Sequence, residues 1–156
     1  MLVVIILGSP SDSGIADRIK QALASFGIPS ETRVSSAHKT PDRLLEMLRR
    51  YEEDSRNKVF ITVAGRSNAL SGMVDAQVTA PVIACPPHSD NYAGNDLWSS
   101  LRMPSGVAPA VVLEPENAAL LAAKMLGLAS SAVRDRVREA QEAQRRRLYE
   151  ADASKG

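Results

Sequence analysis

Leu2-Val3-Val4-Ile5-Ile6-Leu7 runs directly into Gly8-Ser9-Pro10-Ser11-Asp12-Ser13-Gly14. The first stretch is continuously apolar and β-branched with no polar face, the pattern of a strand buried on both sides of a parallel sheet. The second is turn and N-cap chemistry. Ile15, Ile19, Ala22, Leu23 and Phe26 then recur at helical spacing until Gly27 closes the helix. Working outward, the same strand, loop and helix alternation repeats. Glu31 to Val34 reads as a second strand and Ser35-Ser36-Ala37-His38-Lys39-Thr40 as a second polar loop. Thr40-Pro41 supplies an N-cap with proline at the first helical position, and Leu44, Leu45, Leu48 and Tyr51 mark the helix face. Val59 to Val63 is a third buried strand, followed by Ala64-Gly65-Arg66-Ser67-Asn68 and a helix near Leu70 to Gln77.

Pro81 to Ala84 reads as a fourth strand leading into Cys85-Pro86-Pro87. His88 to Ser105 is irregular with one helical turn around Asp96 to Leu101, and Ala110 to Leu113 is a fifth strand. Asn117 to Leu126 is a buried Ala/Leu-rich helix. Ser130 to Tyr149 is a long helix whose Arg145-Arg146-Arg147 run is a solvated end, and the polar tail beyond is expected to fray. The alternation predicts one domain over residues 1–156, a three-layer α/β/α sandwich around a parallel sheet of the flavodoxin or Rossmann type, with right-handed crossovers.

Composition narrows the class of function. Aromatics make up only 4% of 156 residues against 44% hydrophobic residues in all, so the core must be built from Ala, Val, Leu and Ile. A net charge of +1, from 19 basic and 18 acidic side chains, does not recommend nucleic acid or an anionic membrane as partner. The lone Cys85 forbids an internal disulfide and suits a reducing compartment. Together with His38 and His88 it forms no metal-ligand spacing. No apolar run approaches the roughly 20 residues of a membrane span, and Met1 to Leu7 is too short for a signal-peptide core. A cytoplasmic protein is expected.

In open parallel sheets, ligands bind beyond the carboxyl ends of the strands. Three loops at that edge place hydroxyl-bearing or basic residues at helix starts, where exposed N–H groups and the helix dipole favour an anion such as phosphate. Ser9, Ser11 and Asp12 offer phosphate donors and a carboxylate for vicinal hydroxyls, although Ser11 or Asp12 could equally cap the helix. The loop has neither the lysine of a Walker A motif nor dinucleotide-binding spacing. Ser36, His38 and Lys39 put a base beside a cation and a hydroxyl. Gly65 to Ala69 could present a row of N–H donors, a nest for oxygen atoms, or be a plain strand-to-helix turn.

At these loops the sequence resembles the aminoimidazole ribonucleotide carboxylase family of purine biosynthesis, PurE. The resemblance rests on Gly8-Ser-Pro-Ser-Asp12, Ser36-Ala-His-Lys39 and Ala64-Gly-Arg-Ser-Asn-Ala-Leu-Ser-Gly72, with Cys85-Pro-Pro87 and Trp98-Ser-Ser-Leu-Arg-Met-Pro-Ser-Gly106. Class I members isomerise N5-carboxyaminoimidazole ribonucleotide; class II members join carbon dioxide to aminoimidazole ribonucleotide. Class I sequences usually carry tryptophan after the first-loop aspartate, arginine after the histidine and an Ala-Ala-His-Leu-Pro-Gly third loop. This chain has Ser13, Lys39 and Ser67-Asn68-Ala69-Leu70-Ser71-Gly72 there, and looks like class II. It is also similar to the carboxylase part of the fused animal enzyme.

The resemblance implies that Ser9, Ser11 and Asp12 grip phosphate and ribose, that Ser36 and Lys39 complete the phosphate site, and that Ser67 and the Ala69 backbone line a carbon dioxide pocket. His38 would be the catalytic proton-transfer residue, a fitting role for an imidazole, which titrates near neutrality. It implies no metal, biotin or ATP, and a homo-octamer in which the last helix packs on a neighbouring subunit. The rivals are the mutase reaction on the same scaffold and a non-enzymatic receiver-like or flavodoxin-like module. A receiver needs an aspartate ending the third strand, where this chain has Ala64-Gly65. A flavin site needs aromatics, and these loops offer little beyond Tyr92 and Trp98.

Overall fold

The computed structural model describes residues 1–88 and 92–154. In chain order it forms β1 (Leu2–Leu7), α1 (Ser13–Ser25), β2 (Ser30–Val34), α2 (Pro41–Glu53), β3 (Lys58–Val63), α3 (Ala69–Asp75), β4 (Val82–Ala84), α4 (Trp98–Leu101), β5 (Ala110–Val111), α5 (Pro115–Gly127) and α6 (Ser131–Ala153). The five strands make one sheet in the order β2-β1-β3-β4-β5. Every pairing is parallel; β1 runs beside β3 from Leu2↔Lys58 to Leu7↔Val63, and beside β2 from Val3↔Ser30 to Leu7↔Val34.

All six residues of β1 are buried. Because side chains alternate across a strand, Val3, Ile5 and Leu7 enter one core and Leu2, Val4 and Ile6 the other. On the first face, Ile19 and Leu23 of α1 meet Ala118, Ala119, Ala122 and Ala123 of α5, all essentially inaccessible. An alanine seam removes bulk between helix and strand and lets backbones come close, which is how a core nearly without aromatics reaches dense packing. Val133 and Val137 of α6 cover the outside of the same layer. On the second face, Leu44, Met47 and Leu48 of α2 and Leu70 and Val74 of α3 pack over Phe60 and Val82. Tyr51 stands edge-on to Phe60 with ring centroids 5.8 Å apart, and its hydroxyl donates to Glu31 at 2.7 Å, which ties α2 to the edge strand.

The sequence-based boundaries hold with a few instructive departures. Gly27 takes φ +66, so it does close α1 in the left-handed region. The edge strand β2 is only half-covered, which explains its polar Ser-Glu-Thr-Arg-Val sequence. The fifth strand is only Ala110–Val111 and α3 stops at Asp75, two residues short of Gln77. The segment beyond Tyr149, expected to fray, continues as exposed helix to Ala153. Ser130 caps α6, its hydroxyl accepting the Val133 N–H at 3.4 Å. Thr40 sits at the N-cap of α2 without capping it by its side chain; its hydroxyl is engaged by Ser36 instead. No helix among the described residues is long and apolar enough to cross a membrane.

Cys85 lies at the end of β4 in the first core, 1% exposed, with its Sγ 3.7 Å from the Leu113 carbonyl. Burial, aided by the nearby carboxylate of Glu114, pushes its thiol up to about 12. The thiolate is the reactive form, so the native protein is expected to resist an aromatic disulfide reagent at pH 8 and to react fully once unfolded. Stoichiometric labelling of the native protein within minutes would contradict this placement.

Candidate active site

The strand order reverses direction between β1 and β3, since the chain moves outward from β1 to β2 and then returns to the other side. This is the topological switch point of a doubly wound sheet, where the loops part and leave a crevice. A cleft of about 610 Å³ lies there, bounded by the loops after β1, β2 and β3 and by Pro87 and Asp96 from the segment after β4. Gly8 permits the close approach at its floor: a β-carbon on Gly8 would lie 3.1 Å from that of Ala64.

The first loop forms a tight 3-10 turn over Pro10–Asp12. Ser9 caps it, its Oγ accepting the Ser11 N–H at 3.3 Å and the Ser11 hydroxyl at 2.7 Å. Asp12 occupies the N-cap position of α1 but makes no capping bond with its side chain. The capping alternative for Asp12 is therefore not realised, and its carboxylate faces the cleft. Partial burial raises the Asp12 pKa above the ordinary value, opposed by the Ser11 hydroxyl, the Ser9 backbone and the charge of Arg66.

The second loop is folded on itself. The Ser36 hydroxyl accepts the Lys39 N–H at 3.2 Å, and the Thr40 hydroxyl accepts the Ser36 N–H at 3.0 Å and donates to its carbonyl at 3.2 Å. These bonds define the arc that carries His38 and Lys39, both exposed on the cleft.

The third loop is held from behind. Asn68, 3% exposed, caps α3 by accepting the Ser71 N–H at 3.2 Å. Its amide donates to the Ser100 hydroxyl at 2.9 Å, and its backbone N–H to the Ser99 hydroxyl at 2.9 Å. The Ser99 hydroxyl in turn lies 2.7 Å from the Asp96 carbonyl and 3.0 Å from that of Arg66. Arg66 itself has φ +58, and a left-handed residue in a strand-end loop turns successive N–H groups to one side.

Seven of the eight residues singled out in the sequence meet at this cleft: Ser9, Ser11, Asp12, Ser36, His38, Lys39 and Ser67. Ala69 stands apart. It begins α3 outside the lining, and its N–H points back to the Ser67 carbonyl at 3.0 Å, so it supports Ser67 without offering a free donor. The sequence reading missed the roles of Arg66, Asp96 and Leu70 in the lining. Arg66 was visible as a basic residue just past a strand end; Asp96 was not, because it arrives from an irregular stretch with no periodicity to place it.

Replacing Asn68 by Ala removes a helix cap and leaves the Ser100 hydroxyl without its donor. A loss of about 1–3 kcal/mol is expected, measured by urea unfolding, whereas Asn68→Asp, which keeps the cap acceptor, should lose less. Equal stability of Asn68→Ala and the parent would show that the loop is held some other way.

Comparison with known proteins agrees with the loop motifs. The family model described as AIR carboxylase matches residues 2–147. The chain is 54% identical over 152 residues to the phosphoribosylaminoimidazole carboxylase of Archaeoglobus fulgidus, covering 97% of this chain and 83% of that protein. It is 46% identical to the human bifunctional phosphoribosylaminoimidazole carboxylase/phosphoribosylaminoimidazole succinocarboxamide synthetase over 87% of this chain but only 32% of that protein. The crystal structure of Treponema denticola PurE superposes with a TM-score of 0.97 at 50% identity, covering 98% of this chain and 97% of the other. Matched along nearly its whole length in both sequence and fold, the chain belongs to the AIR carboxylase family.

Proposed function

We propose that the protein joins carbon dioxide to 5-aminoimidazole ribonucleotide (AIR), giving 4-carboxy-5-aminoimidazole ribonucleotide (CAIR), reversibly and without ATP, as a class II member of the family. The observation that carries this reading is the meeting of three phosphate-type loops, one histidine and the Asp12 carboxylate, which does not cap α1, in a single cleft at the switch point. The class rests on Ser13, Lys39 and the Ser67-to-Gly72 loop, where class I members have tryptophan, arginine and a histidine-bearing loop.

In this reading Ser9, Ser11, Ser36 and Lys39 hold the phosphate, and Asp12 accepts from the ribose hydroxyls. C4 of the electron-rich imidazole attacks the carbon of carbon dioxide; a new C–C bond forms as one C=O electron pair moves to oxygen. C4 is then tetrahedral, carrying hydrogen and carboxylate. His38 takes that proton, the C–H pair restores the aromatic ring, and the reverse sequence decarboxylates the product. Ser67 and the N–H groups of its loop meet the developing carboxylate, a preorganised arrangement that needs no rearrangement at the moment of reaction. General-base help is typically worth roughly 10²–10⁴-fold, and the fixed geometry of the three loops supplies orientation.

We also propose that the 156 residues act as one catalytic domain in the cytoplasm and assemble as a homo-octamer. Assembly is supported by apolar groups that the chain does not cover itself. Leu128 is 85% exposed, and Leu148 and Tyr149 on the distal part of α6 are 71% exposed. The first part of α6 buries Val133 and Val137 within its own chain, while Leu148 and Tyr149 on its distal part stay exposed.

Supplied with AIR, the protein should form CAIR at a rate that rises with bicarbonate, and faster still when carbonic anhydrase maintains the supply of carbon dioxide. Rapid consumption of N5-carboxyaminoimidazole ribonucleotide in bicarbonate-free buffer, with AIR inert at high bicarbonate, would make it a mutase. His38→Asn should leave AIR affinity within about tenfold while lowering kcat at least about a hundredfold. Lys39→Ala should raise KM more than it lowers kcat, because its charge acts on the phosphate in ground and transition states alike. Unchanged turnover in His38→Asn would remove His38 from the proton-transfer step.

A further inference from the structure

Arg66 is left without a task by the roles above, yet it occupies a conformation that must be imposed. Its φ of +58 is one that a residue bearing a β-carbon adopts against a steric penalty. The imposition is visible. The Ser99 hydroxyl of α4 reaches the Arg66 carbonyl at 3.0 Å and accepts the N–H of Asn68, two residues on, at 2.9 Å. The side chain that results lines the cleft and is exposed, and its positive charge is felt at Asp12.

The charges of the cleft give this arginine a purpose. Among the described residues its cations are Lys39 and Arg66, on two different loops, and its carboxylates are Asp12 and Asp96. AIR brings one anionic group, its phosphate. The reaction then converts neutral carbon dioxide into a second anion at C4. Lys39 shares a loop with Ser36, a phosphate-type hydroxyl, whereas Arg66 directly precedes Ser67 on the loop that faces carbon dioxide in the proposed reaction. A planar guanidinium also matches the two oxygens of a carboxylate in a way that a lysine ammonium does not.

We propose that Arg66 receives the carboxylate formed at C4, and that Ser99, by holding the Arg66 backbone, is its positioning residue. This rests on the carboxylase reading of the site. Arg66 thereby distinguishes product from substrate: it does little for AIR and much for CAIR and for the transition state leading to it.

The test is calorimetric titration of AIR and CAIR, separately, onto the full chain and its variants. Arg66→Asn is the first variant, because asparagine tolerates the left-handed region; Arg66→Gln is the second if that one is unstable. CAIR affinity should fall roughly tenfold to a hundredfold, the range of a hydrogen bond to a charged group, while AIR affinity falls less than about threefold, as for a group that barely meets the substrate. Arg66→Lys should lie between. Ser99→Ala should show a smaller loss of the same asymmetric kind, and Ser99→Thr, which keeps the hydroxyl, should restore it. Equal losses for both ligands would make Arg66 a phosphate contact and overturn the proposal, as would no loss at all. Loss of CAIR affinity in Arg66→Asn with Ser99→Ala unaffected would overturn the positioning role. If the parent protein neither binds AIR nor carboxylates it, the carboxylase reading has failed, an outcome distinct from all of these.

Discussion

Everything in this molecule follows from burying β1 on both faces. Six consecutive apolar residues, alternately supplying two separate cores, need a helical layer on each side. Parallel neighbours cannot be joined by hairpins, so each connection crosses over a face and returns to start the next strand at the same edge. The loops after β1, β2 and β3 are thus delivered to one edge by the same requirement that covers the sheet. Polar chemistry collects there because the rest of the strand is closed to it.

The site is held by short-range hydrogen bonds within rigid ends of secondary structure. Ser9 organises the first turn, Ser36 and Thr40 the second, and Asn68 with Ser99 the third. Several of these residues are hydroxyl-bearing, and such side chains can brace a loop and still present lone pairs or a proton to a ligand. Polar groups of this kind suit the proposed reaction, in which the substrate is itself the nucleophile. In that proposed reaction the protein supplies orientation, one proton acceptor and a matched field for a charge that appears as it proceeds.

The fold and most of the site were legible in the sequence because their signals are local. An unbroken β-branched run such as Leu2–Leu7, stopped by turn residues, has the pattern of a doubly buried strand, and Gly8 through Asp12 that of a turn leading to a helix start. Where the signal was not local, the reading fell short. The partner of Asn68 lies some thirty residues on, at Ser99 and Ser100, and the reach of Asp96 into the cleft depends on a segment without periodicity. The Ala69 backbone, expected at the pocket, lies outside the cleft lining with its N–H on the Ser67 carbonyl, since where a backbone donor points depends on a turn geometry that composition does not specify. Thr40 does stand at the N-cap of α2, but the neighbouring loop claims its hydroxyl, which the sequence does not reveal.

The two layers that cover the sheet are drawn from different parts of the chain. The core under α2 and α3 is complete by Val82, whereas the one under α1 and α5 waits for Val133 and Val137 of α6. A ribosome adding about 5–20 residues per second therefore completes the core under α1 and α5 on the order of several seconds after the other. During that interval a nascent chain has one core complete, while on the other face α1 lies without the full cover of α5 and α6. The first turns of α6, polar as they read, decide when that interior becomes dry.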